Sequence, residues 1–310
     1  MKAQKNRIRK KQRCPASLSG AGHFDYIKRM KRRVAIQGVP GSFHDIAAHR
    51  YFPQDDIELV CCDTFEQVFQ AMREDEDMVA LVAIENTIAG SLLHNYELLR
   101  ESGCTIVGEQ KLRIKHSIMC LPDEDWDDLS EVNSHPVALM QCRRFLSQHR
   151  ELKVVEVEDT AGAAADISAK QLKGHAAICH RDAADIYHLK VLEEGIETNK
   201  HNFTRFMVLA SEKKAPEMRD VQRTDKASIV FSLPHEEGSL SAILSILSFY
   251  KLNLTKIQSL PQIGREWQYL FYVDLTYSDP ARYFLAIEAI KPLTQELKQL
   301  GEYEDGRESI

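Results

Sequence analysis

Between residues 34 and 210 short apolar runs alternate with stretches whose apolar residues recur at helical spacing, and no other feature restricts the fold so tightly. Runs at 34–37, 79–84, 114–121, 152–157, 176–179 and 205–210 read as strands. Between them Phe65, Val68, Phe69 and Met72 share one helical face, as do Leu139, Cys142 and Leu146. Strands that alternate with amphipathic helices build a parallel sheet covered by helices, so an α/β fold is expected.

The pattern changes at 211–225, SEKKAPEMRDVQRTD, where periodicity fades and charge rises, as in a linker. Beyond it come a strand (227–233), a helix (239–250), two strands (254–259 and 267–275), a helix (281–294) and a last strand (297–303). That βαββαβ order is the ferredoxin-like split unit. The expected organisation is therefore a basic extension (1–33), an α/β part (34–210) whose second lobe occupies about 113–190, a linker, and an α+β unit over 226–305.

At 310 residues the chain can bury a sizeable core. Residues 1–33 hold 12 Lys or Arg against one Asp, which leaves a net charge of −17 on the remainder. A body so acidic opposes a nucleic-acid role, and residues 1–29 are expected to be disordered and dispensable. No apolar run approaches the roughly 18 residues of a membrane span, and the basic start lacks the apolar segment of a secretory signal. Seven cysteines without CxxC or metal-type His spacing imply reduced thiols, a cytoplasmic setting and no metal.

Four strand-to-helix junctions carry small or hydroxyl residues: GVPGSF (38–43), ENT (85–87), SHP (134–136) and DTAGAAA (159–165). Each alone reads as an N-cap. In an open α/β fold the ends of the strands converge on one crevice, where free helix amides attract anions. Thr204 and Arg205 stand at the mouth of the apolar strand that ends at Ala210, where neither is needed for packing. Together these features indicate a cleft for a small, multiply charged anion.

Taken in order, GVPGSF (38–43), IENTIAGSL (84–92), SHPVALMQC (134–142), DTAGAAA (159–165) and HNFTRF (201–206) resemble the signature stretches of the prephenate dehydratase family. LNLTKIQSLP (252–261) resembles its regulatory ACT domain. The resemblance implies a two-lobed catalytic domain like a periplasmic binding protein, a C-terminal ACT domain that pairs copies into a homodimer or homotetramer, and no cofactor. It implies conversion of prephenate to phenylpyruvate, CO2 and water in phenylalanine biosynthesis, with L-phenylalanine as effector. Arogenate dehydration is the neighbouring reading, and a noncatalytic sensor of small anions or amino acids is the reading of a different class.

By the same resemblance Thr204 is the catalytic hydroxyl, and Arg205 is its charged partner, which holds a carboxylate or pins the loop. Asn86, Thr87, Ser134, Gln141 and Thr160 are assigned to binding, together with Gly41, Ser42 and Phe206, the last mainly by packing. Gly238, Ser239, Leu240, Asn253, Gln258 and Ser259 are assigned to the effector. Three departures stand out: Thr87 replaces a serine, Asp159 replaces the usual Ser before Thr160, and Gln258-Ser259-Leu260-Pro261 lacks the usual Glu and Arg. Asp159 would repel an anionic substrate if it faced the cleft, so it is expected to point away as a helix cap.

Overall fold

The computed structural model describes residues 31–262, 268–306 and 308–309. The expectation for residues 1–29 lies outside the described residues. Lys31 to Arg33, assigned to the basic extension, instead begin the first strand, where Arg32 pairs with Asp55 and lies over the Phe52 ring.

The first lobe contains β1 (Lys31–Gln37), α1 (Phe43–Tyr51), β2 (Asp56–Cys62), α2 (Phe65–Glu74), β3 (Val79–Asn86), β4 (Gly90–Ser91), α3 (Leu93–Ser102) and β5 (Cys104–Arg113). The second lobe follows as β6 (Ser117–Cys120), β7 (Glu131–Ser134), α4 (Pro136–Gln141), α5 (Arg143–Leu146), β8 (Lys153–Glu156), α6 (Thr160–Lys170), β9 (His175–Cys179), α7 (Asp182–Tyr187) and β10 (Lys190–Glu194). The chain returns to the first lobe through β11 (Phe203–Ser211) and α8 (Ala215–Met218). The C-terminal unit is β12 (Lys226–Ser232), α9 (Ser239–Phe249), β13 (Asn253–Pro261), β14 (Tyr269–Thr276), α10 (Pro280–Ile290) and β15 (Glu296–Tyr303); β16 (Glu308–Ser309) then pairs with β5.

Local chemistry starts these elements where the sequence signals them. Thr64 caps α2 by accepting from Gln67 N–H at 3.4 Å, and Asp279 caps α10 just ahead of Pro280. The segment VALVAIEN of β3 is buried almost throughout because apolar clusters cover both faces of its sheet. Burying each Val, Leu or Ile side chain there stabilises by about 1.5–3 kcal/mol. The apolar period of 139–146 is broken at Cys142, so one expected helix becomes the short pair α4 and α5.

The second lobe has its own five-stranded sheet, in the order β10-β6-β9-β7-β8. All other strands form a single sheet along β13-β14-β12-β15-β5-β11-β3-β1-β2, with β4 and β16 attached at its side. The expected parallel arrangement holds for β2-β1-β3, whereas β11 runs antiparallel to both β3 and β5. This reversal follows from the path of the chain: β11 comes back from the second lobe and enters the sheet from the cleft end.

The C-terminal unit has the split βαββαβ order β13-β14-β12-β15. In β12, Ala227, Ile229 and Phe231 pack against α9 and α10, while Lys226, Ser228 and Val230 turn to the opposite face. The unit joins the first lobe where β15 lies parallel to β5 at Gly301 and Ile106. A Cβ on Gly301 would stand 2.2 Å from the Ile106 carbonyl oxygen, so only glycine permits this approach. The stretch expected to be a linker includes α8, whose Ala215 is buried in the first-lobe core.

Candidate active site

Asn86 closes β3 and Thr204 opens β11, and the antiparallel register sets them opposite each other. Asn86 Oδ1 accepts from the N–H groups of Ile88 and Ala89 at 2.9 and 2.8 Å, so its amide nitrogen must point the other way. That nitrogen donates to Asn202 Oδ1 at 2.8 Å and to Thr204 Oγ1 at 3.0 Å. Thr204 Oγ1 is thereby an acceptor, which leaves its own proton available to the cleft. A register shift beyond Arg205 pairs Phe206 with Ala83, so Ala83 and Asn86 face the cleft together with Thr204 and Phe206.

The cleft between the lobes encloses about 310 Å³, the lower end of the range for small-molecule sites. Phe43, Leu92, Ile114 and Phe206 supply its apolar walls. Ser42, at the head of α1, and Gln141 and Thr160, from the second lobe, supply hydroxyl and amide groups. Gln141 Oε1 lies 2.8 Å from His116 Nε2; a proton on that nitrogen donates to Gln141 and leaves the Gln141 amide NH2 for a ligand oxygen. Burial holds His116 below the usual histidine pKa and lowers His44 to about 3. His44 Nε2 accepts from Ala83 N–H at 3.3 Å, a bond that only the neutral ring can make.

Among the described residues that line the cleft there is no Lys or Arg, whereas Glu158 and Asp159 both reach it. Asp159 corrects the expectation in one respect. It caps α6 as foreseen, accepting from Gly162 N–H at 2.6 Å, but it does so from the cleft wall. Burial raises its pKa, against the opposing pull of hydrogen bonds from Gly162 and Ala161 and of nearby His135. Its carboxylate also occupies the end of α6, so that helix terminus is not a vacant anion site.

Other assigned residues take different places. Ser134 is fully buried and donates to the Ile178 carbonyl at 2.5 Å, which ties β7 to β9 and keeps the hydroxyl out of the cleft. Thr87 binds the backbone of His201 and Phe203 on the far side of the strand pair. Gly41, with φ +82°, is a seam between the lobes: a Cβ there would lie 3.1 Å from Ala183. Tyr187 of the second lobe donates to the Pro40 carbonyl beside it. Arg205 shows the largest departure, since its guanidinium faces away from the cleft and binds Glu109 and Asp274 at 2.6 Å each and Tyr303 Oη at 3.1 Å. The alternation of side chains along β11 compels this once Thr204 faces inward.

Sequence reasoning read His116 as structural or exposed and assigned no role to Asn202 or Glu158. Asn202 was within the quoted HNFTRF stretch, but its fully buried bond to Asn86 links positions more than a hundred residues apart. Of the assigned effector residues, Gly238 has φ +82° and leads directly into α9 with Ser239 and Leu240. Asn253, Gln258 and Ser259 lie along β13. Among the described residues no cluster of His, Cys, Asp or Glu is arranged to hold a metal, and no helix is long and apolar enough to cross a membrane.

The family model described as prephenate dehydratase matches residues 34–214. A relative named arogenate dehydratase/prephenate dehydratase 6, chloroplastic, from Arabidopsis thaliana is 38% identical over 290 residues, covering 87% of this chain and 68% of its own length. Arogenate dehydratase 1 of Petunia hybrida is also 38% identical, over 87% of this chain and 66% of its own length. The prephenate dehydratase of Arthrobacter aurescens, solved with L-Phe, superposes with a TM-score of 0.79 at 23% identity, over 90% of this chain and 92% of that one.

Proposed function

Starting from the fact that the chain belongs to the prephenate dehydratase family, lyases of aromatic amino-acid biosynthesis, we propose that its preferred substrate is arogenate, the amino-acid counterpart of prephenate. The observation that carries this reading is the charge of the cleft, which presents Asp159 and Glu158 and, among its described lining, no Lys or Arg. Prephenate is a dianion and would have to approach these carboxylates without a cationic partner. Arogenate brings an ammonium group, which would offset a buried carboxylate that has no such partner. Prephenate is the second reading, favoured by the description of the matching family model.

The chemistry follows from the pair at the cleft floor. The ring carboxylate leaves as CO2, its electrons enter the ring, and the ring hydroxyl departs as water while the ring becomes aromatic. Thr204 donates its proton to that hydroxyl and takes one back from solvent when the products leave, and Asn86 Nδ2–H stabilises the charge that develops on Thr204 Oγ1 in between. The apolar walls exclude water around the developing ring, and the Gln141 amide and Ser42 hydroxyl hold carboxylate oxygens. No group beyond the side chains is needed, because aromatisation drives the step. In this reading residues 34–210 are the catalytic part and 226–305 a unit that pairs copies and binds phenylalanine near Gly238, where a Cβ would meet no atom within 4 Å.

Turnover of arogenate and of prephenate by the purified full chain, and by Asp159→Asn, tests the substrate reading. Asparagine keeps the helix cap. The unaltered protein should favour arogenate, and the variant should lose about 10- to 100-fold in kcat/KM on arogenate, the worth of a charged hydrogen bond, while prephenate turnover holds or rises. A preference for prephenate, or equal losses on both substrates, rejects the assignment.

A further inference from the structure

Directly behind Asn86 and Thr204 stands a second pair. Glu85 and Arg205 are cross-strand partners on β3 and β11, one residue from the cleft pair and facing the opposite way. The C-terminal unit meets them with its own cross-strand pair, Lys256 of β13 and Asp274 of β14. Arg205 Nη1 lies 2.6 Å from Asp274 Oδ2, and Lys256 Nζ lies 2.9 Å from Glu85 Oε2 and 2.7 Å from Ser91 Oγ. Arg205 Nη1 and Glu85 Oε2 are 3.8 Å apart, which links these contacts into a run of alternating charge, Asp274–Arg205–Glu85–Lys256. Asp274 is buried and is itself held by Ser228 Oγ, 2.5 Å from Oδ1, while Ser228 shares a 2.6 Å bond with Tyr303, the phenol that receives Arg205 Nη2.

We propose that this run of charges, anchored at Asp274, is a positioning device for the reaction: the C-terminal unit sets the Asn86–Thr204 hydrogen bond by gripping the residue beside each partner. Buried ion pairs of this kind contribute little net stability when compared with apolar packing. They do impose geometry, since a guanidinium with three assigned partners cannot rotate without breaking one of them. The register shift at Arg205 makes the backbone there responsive to that grip, because Thr204 and Phe206 reach the cleft only while the shifted pairing is kept. A state of the C-terminal unit that withdraws Asp274 or Lys256 therefore moves the Thr204 hydroxyl with no change in the cleft lining. The proposal rests on the assignment of Thr204 to the reaction.

A double-mutant cycle in the full chain tests it, using whichever substrate is turned over faster. Asp274→Asn keeps the shape and the contact with Ser228 but removes the charge that holds Arg205. It should lower kcat about 10- to 100-fold, the scale of a misplacement near 1 Å, with KM little changed. In a Thr204→Val background there is no hydroxyl to misplace, so adding Asp274→Asn should cost nothing further. If Asp274→Asn does not fold, Lys256→Gln on the outer strand β13 takes its place in the same cycle. Loss by the same factor in both backgrounds, loss expressed in KM, or an unchanged kcat overturns the proposal while leaving Thr204 in the mechanism. Normal turnover by Thr204→Val alone removes the underlying reading and the proposal with it.

Discussion

On one face of the β3–β11 pair, Asn86 and Thr204 look into a cleft whose described lining has no Lys or Arg; on the other, Glu85 and Arg205 enter a dense array of buried ion pairs. The array continues through Glu109, whose side chain is fully buried, to Lys226 Nζ at 2.9 Å, and from there to Asp305 at 2.8 Å. One residue of travel along either strand thus leads from a cleft whose described lining holds carboxylates but no cation to an array in which cations and carboxylates are paired. A charge in the cleft would have to be desolvated with only the substrate to answer it, whereas one at the rear has permanent partners. The hydrogen-bond donors of the cleft are therefore neutral, and the cations stand behind the sheet with permanent partners.

The sharpest break in this comparison is Thr204→Val, which preserves shape and removes the cleft-side proton. Turnover should fall about 10²- to 10⁴-fold, while Thr204→Ser retains substantial activity; steady-state kinetics with both variants checks this. Thermal and urea unfolding should be nearly unaltered, because no buried donor loses its only acceptor.

At the rear the balance is reversed. Lys226→Met removes a buried ammonium and leaves Glu109 with one cation fewer, so unfolding free energy should drop by about 3–5 kcal/mol, the cost of breaking a buried pair. Equilibrium denaturation measures it. A loss under about 1 kcal/mol would place this pair with surface salt bridges and weaken the contrast between the faces.

The smallest effect concerns pH. His44, whose pKa burial lowers to about 3 from an unfolded value near 6.5, is neutral in the folded protein. The unfolded chain binds the proton first, so His44 leaves stability untouched above about pH 6.5 and costs progressively more as pH falls toward 3, with a slope of up to about 1.4 kcal/mol per pH unit. Replacement by Gln, which offers Ala83 N–H an acceptor without titrating, should flatten that part of the stability profile. An identical profile in both proteins would assign the acid sensitivity to other groups.

Several features of this molecule were legible in the chain because they are local. Thr64, Asp159 and Asp279 stand just ahead of their helices, and the helical faces of α2 and α9 follow from apolar spacing. Strand β5 was missed in 104–113 because Glu109, Gln110 and Lys111 interrupt its apolar run; Glu109 and Lys111 form ion pairs with Lys226 of the C-terminal unit and with Asp305. Ser134 resembled a cleft hydroxyl, and only the fold shows that the Ile178 carbonyl accepts its hydrogen bond.

By itself the sequence determined that Thr204 and Arg205 had to face opposite ways, since a strand allows nothing else. Which of them would meet the cleft depended on β11 returning antiparallel to β3, and what Arg205 would meet depended on Asp274, 69 residues along the chain. Asn86 and Thr204, 118 residues apart, became one hydrogen-bonded pair only when the second lobe brought the chain back to the first. Local pattern is written in neighbouring residues because dihedral preference and burial period act over a few positions. Partnership between distant charges is decided by the register of strands that only the folded sheet brings side by side.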